Sequence, residues 1–150
     1  MWLRRRHKAC QKAVQSLAVV LMAAPAVAAE PVVLQGPEII STFDGKTVSG
    51  AYADGLAVRE TYQVGGGISY WDPRGSSVGK WFVVNNQLCT FYEGMPGGCF
   101  RVEKLGANCY DYYAVANSAE EALNPLEKPR YTARGAIEGA ASTCPEELQV

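Results

Sequence analysis

The chain has 150 residues, with 14 Lys and Arg against 15 Asp and Glu, and 48% of it is hydrophobic. That length suits one domain, but the near-balanced charge hides an asymmetry. Five basic residues (Arg4, Arg5, Arg6, Lys8 and Lys12) precede residue 30, and every acid lies at or after Glu30, so the remainder carries nine basic and fifteen acidic residues, net −6. Without a basic cluster this remainder is a poor partner for nucleic acid, where phosphate neutralisation supplies most of the affinity, and for anionic membrane surfaces.

Residues 1–29 read as a secretory signal peptide: a basic start, an apolar run from Leu17 to Ala24, and small residues Val27 and Ala29 that favour cleavage before Glu30, with one residue earlier as the second choice. A membrane anchor is the competing reading, but the run falls short of the ~20 residues a spanning helix needs. Arg4 to Arg6 hint at twin-arginine export, yet the rest of that motif is poor and the general route is preferred. Cys10 precedes the apolar run, so it is not a lipoprotein cysteine and leaves with the peptide. The expectation is a periplasmic or secreted protein whose residues 30–150 form a single β-rich domain, with a core over about 36–115 and a tail over 116–150.

Four cysteines remain in that domain: Cys89, Cys99, Cys109 and Cys144. An even count in an exported chain points to two disulfides, and four cysteines allow three pairings. Cys89–Cys99 with Cys109–Cys144 is preferred, because the first pair flanks one turn and the second would tie down the tail. Closing the longer loop contributes on the order of 3 kcal/mol by restricting the unfolded chain. Zinc is disfavoured, since no C-x-x-C spacing and no nearby histidine accompanies the cysteines.

In chain order, Glu30 to Gln35 reads as an extended lead-in. Gly36-Pro37-Glu38 opens a segment of one or two helical turns over Ile39–Phe43, with proline suited to the first turn, and Asp44-Gly45 ends it. Thr47–Ala53 and Ala57–Val64 are the first two strands. In the second, Val58, Glu60, Tyr62 and Val64 alternate with Arg59, Thr61 and Gln63, which favours a strand with one face inside. Glu60 sits on the apolar set. Ile68–Trp71 is a third strand, followed by the turn Asp72-Pro73-Arg74-Gly75.

Gly79 to Phe91 then forms a hairpin about Asn85-Asn86, residues that tolerate the positive φ of tight turns. A two-residue loop pairs Val84 with Gln87, Val83 with Leu88 and Trp81 with Thr90. That register puts the core residues Trp81, Val83 and Leu88 on one face and Phe82, Cys89 and Phe91 on the other, so the hairpin is expected to be covered on both sides. A longer loop would bring Cys89 onto the Trp81 face. Glu93–Gly98 reads as a turn, Cys99–Leu105 as a sixth strand, Gly106–Asn108 as another turn and Cys109–Val115 as a seventh strand. Ser118 with Glu121 resembles a helix-capping pair ahead of Leu123, Asn124-Pro125 stops that segment, and Pro129–Ile137 leaves room for one more strand. Short strands with turns every eight to twelve residues or so point to an all-β fold with minor α content: a small antiparallel barrel or sandwich of about seven to eight strands with a short N-terminal helical turn.

The chemistry is defined largely by what is missing. The one histidine is His7, inside the signal. Serine–histidine and cysteine–histidine catalysis are therefore excluded, and the commonest zinc and copper ligand is lost. No dinucleotide, Walker or H-E-x-x-H motif is present, and Asp44-Gly45 and Asp54-Gly55 do not begin a calcium loop. No cofactor and no metal are expected. A carboxylate pair would still suffice for a glycoside hydrolase. The candidates are Glu60, Asp72, Glu93, Glu103 and Asp111, and the preferred reading is that all five face water. Tyr110, Tyr112 and Tyr113, with Tyr62, Tyr70, Trp71 and Tyr92 on other strands, are either ligand-facing stacking groups or, the plainer reading, core.

The segment Gly36–Phe43, then Gly45-Lys46-Thr47-Val48-Ser49-Gly50, then Arg59, Glu60 and Tyr62, then Gly79-Lys80-Trp81-x-Val83 followed by Leu88-Cys89 and Cys99, resembles a family of small exported bacterial proteins known as a domain of unknown function. The resemblance covers Gly36 to Val115 and does not reach the tail with Cys144. It implies an exported β-rich domain and assigns no catalytic residue. The layout is also similar in outline to lipocalin-type carriers and to exported protease inhibitors. The expected function is a non-catalytic binding or structural protein of the bacterial envelope whose partner is an envelope protein, a glycan or a small apolar ligand. The alternatives are a carboxylate-dependent hydrolase of envelope polysaccharide, or a protease or lysozyme inhibitor. A hollow barrel would favour ligand carriage, and a filled one would move attention to loops and edges.

Overall fold

The computed structural model describes residues 30–115 and 131–146. The signal segment and the capped segment at Ser118–Leu123 lie outside the described residues. In chain order the elements are β1 (Val32–Val33), α1 (Gly36–Phe43), β2 (Thr47–Tyr52), β3 (Ala57–Tyr62), β4 (Gly67–Asp72), β5 (Gly75–Val84), β6 (Gln87–Tyr92), β7 (Met95–Gly106), β8 (Cys109–Ala114) and β9 (Ala133–Ile137). From β2 to β9 each strand pairs antiparallel with the next, and β9 also pairs with β2, so eight strands close into a barrel. Closure removes the unpaired edges that an open sheet must protect. The extra strand β1 pairs with β7 at Lys104 and Glu103, on the flank that β6 leaves free, and leads directly into α1.

The turns explain why the strands meet as they do. Asn85 and Asn86 have φ of 51° and 58°, the conformation a two-residue hairpin requires, and the register Val84↔Gln87, Val83↔Leu88, Trp81↔Thr90 follows. At the β4–β5 turn, Asp72 accepts the backbone N–H groups of Arg74 and Gly75 at 2.8 and 3.1 Å, which fixes Pro73-Arg74 as the loop. The segment Glu93–Gly98, expected as one long turn, is instead a tight turn at Glu93-Gly94, and β7 begins at Met95. Cys99 therefore does not close off a loop: it lies directly opposite Cys89 on the neighbouring strand, and the two are bonded. Cys109–Cys144 is the second disulfide.

The barrel has one interior, and this corrects the expectation of a hairpin covered on both faces. Trp81 and Leu88 are buried inside with Val83 packed beside them. Phe82 and Phe91 lie outside, 46% and 48% exposed, stacked with ring centroids 5.8 Å apart. A single-layer barrel gives each strand one inward and one outward face, so no second layer is available to cover them.

Helix α1 fills one end. Ile39 and Phe43, four residues apart on one side of the helix, are fully buried. Phe43 packs on Tyr62, Tyr110 and Tyr112 with centroids at 5.4, 5.2 and 6.0 Å. Trp81 meets Tyr62 edge-on at 5.5 Å, and its indole N–H donates to the Gln63 carbonyl at 3.0 Å. The helix is pinned at its start, where the Glu38 carboxylate accepts the Gln35 N–H at 2.8 Å and Asn86 Oδ1 accepts the Gly36 N–H at 2.9 Å. At residues 139–144 the chain crosses the outer side of β8 and β9, held by Asn108 and by the bond to Cys109.

Candidate functional site

Opposite α1 the barrel is open. A cavity of about 200 Å³ enters between β2, β3, β6, β7, β8 and β9. Its walls are mainly apolar and aromatic: Tyr52, Val58, Tyr92, Phe100 and Tyr112, with Met95 and Pro96 at the rim. Gly50 and Gly135 face each other on β2 and β9 and leave one wall without side chains. A Cβ on Gly50 would lie 2.0 Å from the Arg134 carbonyl oxygen, so only glycine fits that approach. Thr90 and Thr132 supply further polar groups to the lining.

Glu60 is the one carboxylate among the described residues that lines this cavity. It sits in the inward phase of β3, between Val58 and Tyr62, with Val48 opposite on β2 and Tyr70 opposite on β4. The Tyr62 hydroxyl donates to its Oε2 at 2.5 Å, and the Tyr92 hydroxyl donates to its Oε1. Burial pushes the Glu60 carboxyl above the usual carboxylate range, and the two hydroxyl donors only partly offset that. The phenols around it are shifted further from ionisation, Tyr62, Tyr92 and Tyr112 upward by burial first and by the neighbouring Glu60 charge second. The Tyr112 hydroxyl is buried without a hydrogen-bond partner among the described residues. A buried polar group left unpaired costs about 1–3 kcal/mol.

A second set of groups continues from the wall toward the β4–β5 turn. Tyr52 donates to the Tyr70 hydroxyl at 3.3 Å, Tyr70 donates to Asp72 Oδ2 at 2.9 Å, and Arg74 pairs with Asp72 at 2.7 Å. The hydrogen bond from Arg74, reinforced by Tyr70, holds the Asp72 carboxyl down at about 2.

The five acids expected to face water divide. Glu93 is exposed, and Glu103 is partly covered and paired with Arg101. Asp72 and Asp111 are buried and Glu60 is turned into the barrel cavity, partly covered, which corrects the expectation for those three. Asp111 is 1% exposed because Arg134 clasps it with two bonds of 2.6 and 2.8 Å on the outer side of β8 and β9. The tyrosine cluster divides as well. Tyr110 is packed under Phe43 in the filled end and Tyr112 lines the cavity, while Tyr113 points outward with the Arg101 guanidinium 4.5 Å from its ring centre. Tyr52, Phe100, Thr132 and Gly135 are among the lining residues that sequence reading does not single out. The signal for Glu60 was its phase: it shares the apolar alternation of Val58 and Tyr62.

Among the described residues no group of three or more His, Cys, Asp or Glu is placed to hold a metal ion, and no helix is long and apolar enough to cross a membrane. No protein-family model matches the chain, and no curated protein matches it significantly.

Proposed function

We infer that the protein is an exported, disulfide-stabilised binding protein of the bacterial envelope, related to the family that its GKW-x-V…LC…C residues resemble. It holds a small ligand in the open mouth of its barrel and does no chemistry on it. The observation that carries this reading is the uneven filling of the interior: aromatic core and α1 occupy one end, and a cavity of about 200 Å³ with apolar walls and a few inward polar groups occupies the other. That combination is what small-ligand sites are made of. A carboxylate-pair hydrolase draws less support, because Glu60 alone supplies an acid to the cavity lining among the described residues. Export rests on the basic-apolar-small pattern of residues 1–29 and agrees with two disulfides in the domain.

The test is an NMR titration of the mature chain with a panel of compact cationic, neutral and anionic fragments. Saturable amide shifts are expected at Gly50, Thr90 and Gly135 for at least one member, and Val58→Trp, which fills the mouth, should abolish them. Shifts that spread over the outer surface, or that survive Val58→Trp, would sink the reading. Mass spectrometry of the protein recovered from the periplasm should find Glu30 at its amino terminus.

A further inference from the structure

The cavity has a polar floor, and its composition selects among ligands. Four ion pairs form among the described residues: Arg59–Glu138, Arg74–Asp72, Arg101–Glu103 and Arg134–Asp111. None includes Glu60. Its only side-chain partners among the described residues are the Tyr62 and Tyr92 hydroxyls. A carboxylate taken out of water without a cation is costly, and the cost is relieved when a positive charge enters beside it. Aromatic faces recruit the same kind of charge, and Tyr52, Tyr92, Phe100 and Tyr112 stand around this floor. Tyr112 contributes its ring to this wall; the residue is 7% exposed and its hydroxyl is buried. The size sets the scale of the guest: about 200 Å³ lies below the roughly 300–1,000 Å³ of drug-sized pockets.

We propose that the mouth of the barrel binds a compact organic cation, an ammonium group with a small apolar body, whose charge is received by Glu60 and whose body is enclosed by the surrounding aromatic rings. This rests on the ligand-carrier reading above and names the class of its ligand. An anion of the same shape meets the Glu60 carboxylate and is rejected. A neutral molecule fills the walls but leaves the floor uncompensated.

Binding is linked to the protonation of Glu60. The groups that face it are Tyr62 on its own strand, Tyr52 on β2, Tyr70 and Asp72 on β4, Tyr92 on β6 and Tyr112 on β8, with Arg134 of β9 at the cavity wall engaged by Asp111. The tyrosines are shifted upward from their ordinary value and stay neutral. Asp72, held low by Arg74, stays charged. Burial raises the Glu60 carboxyl above its ordinary value, so as pH falls Glu60 takes up its proton before Asp72 does.

The experiment uses three probes of one shape and different charge: choline, its neutral carbon isostere 3,3-dimethylbutan-1-ol, and the anion 3,3-dimethylbutanoate. Each is titrated into the full mature chain by calorimetry and NMR. Choline is expected to bind at least tenfold more tightly than the alcohol at pH 8, and the anion more weakly than either. Because choline's charge is permanent, its affinity should fall at least several-fold from pH 8 to pH 4 while that of the alcohol stays level. Glu60→Gln should erase the preference for choline and keep binding of the alcohol. Equal or tighter binding of the alcohol or the anion by the wild-type protein overturns the cation assignment and leaves the carrier reading standing. No saturable binding of any of the three overturns the cation assignment too, and the broader fragment panel then decides the carrier reading separately. The wild-type pH series keeps the test decisive if Glu60→Gln fails to fold.

Discussion

Asn108 shows how much a single side chain can hold. Its carboxamide nitrogen donates to the Ile137 carbonyl at 2.9 Å and is shared with the Ala140 and Ala141 carbonyls at 3.3 Å, while its oxygen accepts the Ile137 N–H at 2.9 Å. It is 7% exposed, so water does not replace these bonds when they are lost. One residue at the β7–β8 turn therefore secures the end of β9 and the start of the tail. Asn108→Leu keeps the bulk and strands those backbone groups, and it should cost about 2–3 kcal/mol. Urea denaturation is the check. The midpoint should fall with the slope unchanged, as expected when the folded state is weakened and the surface exposed on unfolding is the same. In the sequence this asparagine reads only as a turn residue, because the four groups it bonds lie about thirty positions away.

At the scale of the element, α1 stands out because eight residues close an entire end of the barrel. Ile39 and Phe43 are its inserted side chains, and Ile40, 48% exposed, is on its outer side. Phe43→Ala removes the ring that touches Tyr62, Tyr110 and Tyr112 and should cost about 3–5 kcal/mol. Ile40→Ala should stay within about 0.5 kcal/mol of wild type. Thermal melts of the two variants separate a plug from a helix that merely rests on the rim; equal effects would count against the plug. The strands were legible because alternation and turn chemistry act locally: Asn85-Asn86 fixed the pairing of Trp81 with Thr90. What the helix closes, and which face of the hairpin stays bare, depend on closure between β2 and β9, a contact that no local pattern encodes. The site followed the same divide. The inward phase of Glu60 was visible, yet the partners that bury it come from β6 and, through Tyr112, β8.

For the whole molecule these groups combine into a stability profile with two opposing limbs. Asp72 and Glu138 are each held down at about 2, Asp72 first by the hydrogen bond from Arg74 and Glu138 first by that from Arg59. Their unfolded values are about 3.9 and 4.3. A depressed carboxylate contributes stability above its unfolded value, and that contribution is lost as pH falls toward 2. Glu60 has the opposite sign. Its folded carboxyl is raised by burial, so the native state binds the proton more tightly than the unfolded chain does. Stability therefore declines as pH climbs from about 4.3 through the raised folded value, and is level beyond it. The empty protein should be most stable in mildly acid solution. Melting temperature measured from pH 2 to pH 8 should rise and then sag, and Glu60→Gln should keep the acid rise and remove the sag. A wild-type curve that stays flat from pH 5 to pH 8, with Glu60→Gln less stable throughout, would mean that Glu60 is already satisfied as a charged group. A cationic guest would then have nothing to relieve. If the sag is present, adding choline at pH 8 should lift the wild-type melting temperature and leave that of Glu60→Gln nearly where it was, because the guest supplies the charge that the empty fold lacks.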